Sequence, residues 1–154
     1  MPEAAAPRTA QQRKKDTLHR LEHDVDAWVS TADLETGAPY MVPLSFLWTG
    51  SSLLLATAAS TPTARNLSLS GTVRMGIGET RDVILVDGTA QPVRPADLPP
   101  QEADAFAAKT GFDPREEAAP YLYFRVSPRR LQAWREVNEF PGRDLIVDGR
   151  WTVA

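Results

Sequence analysis

From Asp26 to Thr57 the chain reads DAWVSTADLETGAPYMVPLSFLWTGSSLLLAT, a succession of short apolar and β-branched runs, each closed by a turn signal. That punctuation constrains the fold more than any other feature. Strands joined by short turns, without regular strand–helix alternation, predict an antiparallel barrel over a doubly wound parallel sheet. DAWVST and YMVPLSFLW are expected to form a hairpin around Glu35-Thr36-Gly37, where Gly37 supplies a positive φ. TGSS is the next turn. SLLLAT, continuously apolar, reads as a strand buried on both faces, completing a three-stranded meander.

The rest of the chain fits the same scheme. Leu18, Leu21 and Val25 are spaced as one helical stripe, so a helix is expected to end near Val25. In STPTARNLSLSG, Thr61 is a natural N-cap, Pro62 suits the first helical position, and Gly71 suits the C-terminal cap. This short helix should bury Leu67, with Leu69 a second candidate. TVRMGIGE alternates Val73, Met75 and Ile77 toward a core, and DVILVDGTAQPV is a strand bulged near Asp87-Gly88. A helix over Pro100 to Lys109 places Ala103, Phe106 and Ala107 inward. YLYFRV is a strand, Ser127-Pro128 a turn, and LIVDGRWTV a hairpin around Asp148-Gly149.

At 154 residues the chain suits one domain; residues 1–10 are expected as a flexible tail and 11–154 as the folded unit. The net charge of -3 disfavours nucleic acid as a partner. There is no cysteine, which removes disulfides, thiolate metal sites and cysteine nucleophiles. No apolar run approaches the ~20 residues that span a bilayer, and the N-terminus lacks a secretory h-region, so a cytoplasmic protein without a membrane partner is expected.

Motifs narrow the chemistry. His19 and His23 share a helix face but do not form HExxH, and no histidine follows them, so a solvated face is favoured over a metal site and a Ser-His-Asp triad is disfavoured. Neither GxGxxG nor a P-loop is present, and the glycines of GIGE suit close backbone packing. Thr57, Ser60, Thr61, Thr63 and Arg65 combine hydroxyls, a helix start and a guanidinium, a set suited to an anion such as phosphate. The same residues also suit a plain helix start, with Thr61 only a cap and Arg65 a surface cation.

The run WVSTADLETGAPYMVPLSFLW…LLLATAASTPTARNLSLSGTVRMGIGE…VILVDGTAQPV resembles the pyridoxamine 5'-phosphate oxidase-like flavoproteins, the flavin- and deazaflavin-dependent split β-barrel superfamily, over roughly Asp26 to Val93. The resemblance implies a mainly β protein, a six-stranded antiparallel split β-barrel with peripheral helices. It implies a homodimer with flavin mononucleotide (FMN), or alternatively the deazaflavin coenzyme F-420, in a groove at the subunit interface. Val42, Pro43, Leu44 and Ser45 would pass the ring, while Thr57, Ser60, Thr61, Thr63, Arg65 and Asn66 would meet the phosphate. Many relatives carry Arg or Lys where this chain has Thr61 and Thr63, a departure that lowers the positive charge available. Trp134 or Arg135 would approach the ring from the partner subunit, or Trp134 would pack the dimer core.

True pyridoxamine 5'-phosphate oxidases bind substrate through a C-terminal basic motif containing His, which this chain lacks. The expected function is therefore an oxidoreductase moving hydride between the bound ring and a small organic substrate. The alternative is a non-catalytic binder that stores or senses a flavin, deazaflavin or haem-like molecule.

Overall fold

In the computed structural model, which describes residues 3–154, the first helix starts where a hydroxyl is available to cap it. Thr9 accepts from the N–H of Gln12, and α1 runs Ala10–His23 with Leu21 fully buried. It ends short of Val25, which is exposed. β1 (Asp26–Ala32) and β2 (Pro39–Ser45) then pair in full register, from Asp26 opposite Ser45 to Ala32 opposite Pro39. The Asp33 carboxylate accepts from the N–H groups of Glu35 and Thr36, which hold it below its ordinary pKa, and Gly37 takes φ 73°. The expected hairpin is present.

The expected meander forms only in part, at Leu47-Trp48, the end of the expected second strand, which pairs with Leu53-Leu54 across the TGSS turn. β3 (Leu47–Trp48) pairs with β4 (Leu53–Ala58), but β4 pairs next with β7 (Tyr121–Trp134), from Leu53 opposite Val126 to Ala58 opposite Tyr121. The physical reason lies in SLLLAT itself. Leu53 and Leu55 point into the main core while Leu54 packs under the helix α3 (Pro100–Thr110) with Ala103, Phe106 and Tyr123, so the strand needs cover on both faces. A position beside β2 would not supply it.

β5 (Thr72–Glu79) and β6 (Asp82–Val93) form the centre of the sheet, with Val73, Met75 and Ile77 buried. The order is β2-β1-β5-β6-β7-β4-β3, all antiparallel, so seven strands rather than six follow one path. β8 (Asp144–Val147) adds to β7 and β9 (Arg150–Trp151) to β8, across a turn in which Asp148 and Gly149 both take positive φ. The sheet curls until β2 and the far half of β4 approach without pairing. That seam makes the barrel split.

The bulge expected at Asp87-Gly88 is observed in the β6–β7 ladder. The turn expected at Ser127-Pro128 is not, because β7 continues through it. Pro128 lies opposite Gly88, at the bulge, where a missing N–H is tolerated. Gly88 is required there: a Cβ would lie 2.7 Å from Val126 Cγ1 and 2.8 Å from the Ser127 carbonyl oxygen.

Of the expected tail, Met1 and Pro2 lie outside the described residues. The following residues make defined contacts: the Ala5 carbonyl accepts from Asn138, and Arg8 donates from its backbone, Nε and Nη2 to the Glu139 carboxylate. No helix is long and apolar enough among the described residues to cross a membrane.

A candidate cofactor cleft at the barrel seam

α2 (Pro62–Ser70) begins as its sequence dictates, with Pro62 in the first turn, Thr61 accepting from the Ala64 N–H at 3.1 Å, and Gly71 closing the helix at φ 66°. Leu67 is fully buried, whereas Leu69 is exposed. The Thr61 hydroxyl has no spare capacity. It lies 3.0 Å from Thr57 Oγ1 and donates to the Ala58 carbonyl at 3.0 Å, so its proton and both lone pairs are engaged. Pro62 has no N–H, the Ala64 and Arg65 amides bond back to Thr61, and Thr63 is buried, so the helix start offers a ligand no ready backbone donor.

The seam between β2 and β4 opens into a cleft of about 540 Å³. Pro43, Leu44 and Ser45 form one wall, Ala56, Thr57, Ala58 and Thr61 the opposite one. Both walls are strand edges whose outward backbone groups have no ladder partner among the described residues. The back is built by Phe106, Thr110, Phe112 and Tyr121, the last two in tilted contact at 5.3 Å. Lys109 fixes this back wall: its ammonium donates to the Leu21 carbonyl, lies 4.2 Å above the Phe46 ring, and is pushed below its ordinary pKa by burial. Behind it, burial raises the Tyr123 phenol, whose hydroxyl has no protein partner.

Beyond Thr61 a smaller hollow of about 320 Å³ carries Ser60, Arg65 and Asn66 on its α2 side and Asp33, Pro39 and Tyr40 on the hairpin side. Thr61 lines both spaces. The nominated residues therefore divide. Pro43, Leu44, Ser45, Thr57 and Thr61 meet in the cleft, and Ser60, Thr61, Arg65 and Asn66 in the adjoining hollow. Asn66 is nevertheless largely structural, being buried and donating from Nδ2 to Thr31 Oγ1. The Thr63 side chain is buried and lines neither space, and Val42 lies opposite fully buried Val29 without lining either.

Trp134 and Arg135 stand at the opposite end of β7 from Tyr121. Trp134 contacts Phe140 at 5.3 Å, and Arg135 pairs with Asp82 at 3.3 Å. Neither reaches the cleft of its own chain.

Sequence reasoning missed Asp26, Phe106, Thr110, Phe112 and Tyr121. Asp26 had a usable signal, because counting outward from the hairpin turn sets it opposite Ser45; the structure shows Ser45 Oγ donating to Asp26 Oδ1 at 2.7 Å. The aromatic wall had none, since α3 and β7 arrive from far along the chain. Among the described residues no group of three His, Cys, Asp or Glu could hold a metal, and His19 and His23 stack at 4.1 Å on an exposed helix face. A planar ring with an anionic tail fits the site: an aromatic back wall and open strand edges for the ring, Ser60 and Arg65 for the tail.

No protein-family model matches the chain, and no curated protein does. Solved structures do match in fold. A candidate pyridoxamine 5'-phosphate oxidase from Listeria innocua superposes with a TM-score of 0.65 at 13% identity, covering 80% of this chain and 98% of its own. An F420 reductase gives 0.61 at 17% identity over 73% of this chain and 93% of its own. A heme binding protein from Mycobacterium smegmatis gives 0.62 at 15% identity over 87% of this chain and 57% of its own. The fold is the split barrel of the pyridoxamine 5'-phosphate oxidase-like proteins.

Proposed function

We propose that this protein is a flavin- or deazaflavin-dependent oxidoreductase that moves hydride between a bound ring cofactor and a small organic substrate. One observation carries this reading: a cleft with open strand edges and an aromatic back wall lies next to an Arg65-bearing hollow, Thr61 lining both, which matches a planar ring with an anionic tail. The cofactor supplies the hydride chemistry when bound. The chain's own residues bind and orient. The edge of β2 from Pro43 to Ser45 would meet the polar rim of the ring, Phe112 and Tyr121 would exclude water, and Ser60 and Arg65 would hold the tail. FMN is the proposed cofactor, with coenzyme F-420 as the alternative, and the cytoplasm the proposed location.

A homodimer belongs to the same proposal. Trp28 and Met41, on adjacent strands, are 52% and 58% exposed on the outward face of the sheet, and a second copy would cover them. Trp134 and Arg135, remote from their own cleft, would then be available to the cleft of the other copy.

Titration of the apo protein with FMN and F-420, followed by absorbance, tests the reading. Arg65→Ala should weaken binding by about tenfold or more while leaving the melting temperature unchanged, since Arg65 is exposed and a charge-assisted contact is worth ~1.5–3 kcal/mol. Unchanged affinity would remove Arg65 from the site and the phosphate assignment with it.

The second reading is a non-catalytic binder of a flavin, deazaflavin or haem-like molecule. It is favoured by the scarcity of acid–base groups in the cleft, where Asp26 and Tyr121 are the titratable side chains among the described lining residues. With neither His nor Met in that lining, haem ligation would fall to Tyr121. A reduced bound cofactor that reacts with oxygen alone, across a panel of small organic acceptors, decides for the binder.

A further inference from the structure

Asp26 is the one formally charged side chain among the described residues lining the 540 Å³ cleft. It starts β1, faces Ser45 across the hairpin, and is held by the Ser45 hydroxyl at 2.7 Å. Ser45 itself lines the cleft, so this hydrogen bond ties the carboxylate to the wall nominated for the ring. The nearby charges do not cancel it. Asp24 is also acidic and already bound to Arg20 at 3.1 Å, and the Lys109 ammonium is committed to the Leu21 carbonyl. Arg65, the cation of the site, lies in the adjoining hollow beyond Thr61. The cleft thus carries a negative charge at its strand edge, and the hollow on the other side of Thr61 carries the positive one.

We propose that Asp26, positioned by Ser45, sets the charge preference of the ring end of the cleft, disfavouring a ligand that gains negative charge there. This rests on the flavin-type reading above. When a neutral oxidised flavin ring takes up two electrons and one proton, its net charge falls by one. The Asp26 carboxylate repels that charge across a cleft of low polarity, so the oxidised form is held more tightly than the reduced one and the bound cofactor becomes the stronger reductant. The same carboxylate repels the phosphate tail and Arg65 attracts it, which fixes the direction in which the ligand lies. Asp26 is exposed, so the effect is attenuated by water and falls with added salt.

The test compares wild type, Asp26→Asn, Asp26→Glu and Ser45→Ala, each checked for an unchanged melting profile. Affinities for oxidised FMN and for dithionite-reduced FMN are measured anaerobically at mildly alkaline pH, in low and high salt. Asp26→Asn should raise the reduced-to-oxidised affinity ratio by about tenfold, equivalent to ~30 mV upward for a two-electron couple. Asp26→Glu should stay near wild type, Ser45→Ala should shift the ratio less than Asp26→Asn, and high salt should narrow the gap. An unchanged ratio in Asp26→Asn, or an equal shift in Asp26→Glu, overturns the role of Asp26 and leaves the flavin reading standing. If wild type binds neither FMN nor F-420 in either redox state, the flavin reading fails and the proposal with it.

Discussion

The two ends of β7 use polar residues in opposite ways. At the Trp134 end, Glu139 is 2% exposed and accepts four hydrogen bonds, three from Arg8 and one from the Arg135 amide, each between 2.8 and 2.9 Å. Arg13, buried beside it, donates to the carbonyls of Ala133 and Glu139. At the Tyr121 end, Ser45, Thr57 and Thr61 also bond one another or their neighbours, but on the walls of an open cleft and beside unpaired strand edges. A buried network around a fully engaged carboxylate fixes one arrangement of the chain; a partly open one keeps capacity for a ligand. The difference separates structural polarity from functional polarity without reference to residue type.

The comparison breaks most visibly at Glu139. Glu139→Gln removes the charge that two arginines face, and should cost about 3 kcal/mol of stability in urea unfolding, the usual consequence of leaving a buried partner uncompensated. The four hydrogen bonds and the Arg8 guanidinium hold the Glu139 carboxyl at about 2, below its ordinary 4.5. A depressed carboxyl pKa stabilises the fold above the unfolded value, and that contribution is lost as pH falls through 4.5 toward 2. The stability gap between wild type and Glu139→Gln should therefore close over that window. A gap that persists at the acid end would mean the charge is not what holds the tail.

Gly88→Ala attacks the middle of the same strand pair. The added Cβ meets Val126 Cγ1 and the backbone of Ser127, and backbone cannot yield as a side chain tip can. About 2 kcal/mol of destabilisation is expected, within the range for overpacking, with ligand binding at the seam unchanged. A ligand affinity that falls as far as stability does would show the seam to be coupled to the bulge, and would dissolve the separation between the two ends.

What could be read in advance follows the same division between local and distant causes. Gly37, Thr61-Pro62, Gly71 and Asp148-Gly149 were legible because each takes its conformation from its own backbone chemistry. Of the two partners of SLLLAT, Leu47-Trp48 across the TGSS turn was legible but β7 was not, since apolarity marks a strand as buried without saying which distant strand lies beside it. Ser127-Pro128 misled because proline signals a break unless a bulge absorbs it, and here β7 carries the extra residue, Arg129, between the partners of Asp87 and Gly88. Of the residues named from pattern and resemblance, Pro43 to Ser45, Thr57 and Thr61 line the cleft and Ser60 and Arg65 the hollow, whereas Thr63 and Asn66 are buried in packing α2. Arg8 and Glu139 are 131 positions apart, and no local pattern joins them.

The smallest expected effect discriminates most finely at the seam. Thr61→Ala strips the N-cap of α2 and leaves the Ala64 amide and the Thr57 hydroxyl without their partner, which should cost about 1 kcal/mol; Thr61→Ser keeps the oxygen and should cost only a few tenths. Because the Thr61 proton is already given to the Ala58 carbonyl, its hydroxyl has little to offer a phosphate directly. Its expected contribution to binding is indirect, holding the first turn of the helix that presents Arg65 to the hollow. The ratio of FMN to riboflavin affinity isolates the phosphate, since the two ligands share the ring. That ratio should collapse in Arg65→Ala, fall only about threefold in Thr61→Ala, and survive in Thr61→Ser. If Thr61→Ala abolishes the ratio as completely as Arg65→Ala, the hydroxyl exchanges its carbonyl for the phosphate on binding, and the seam holds more latent donors than its ligand-free hydrogen bonds display.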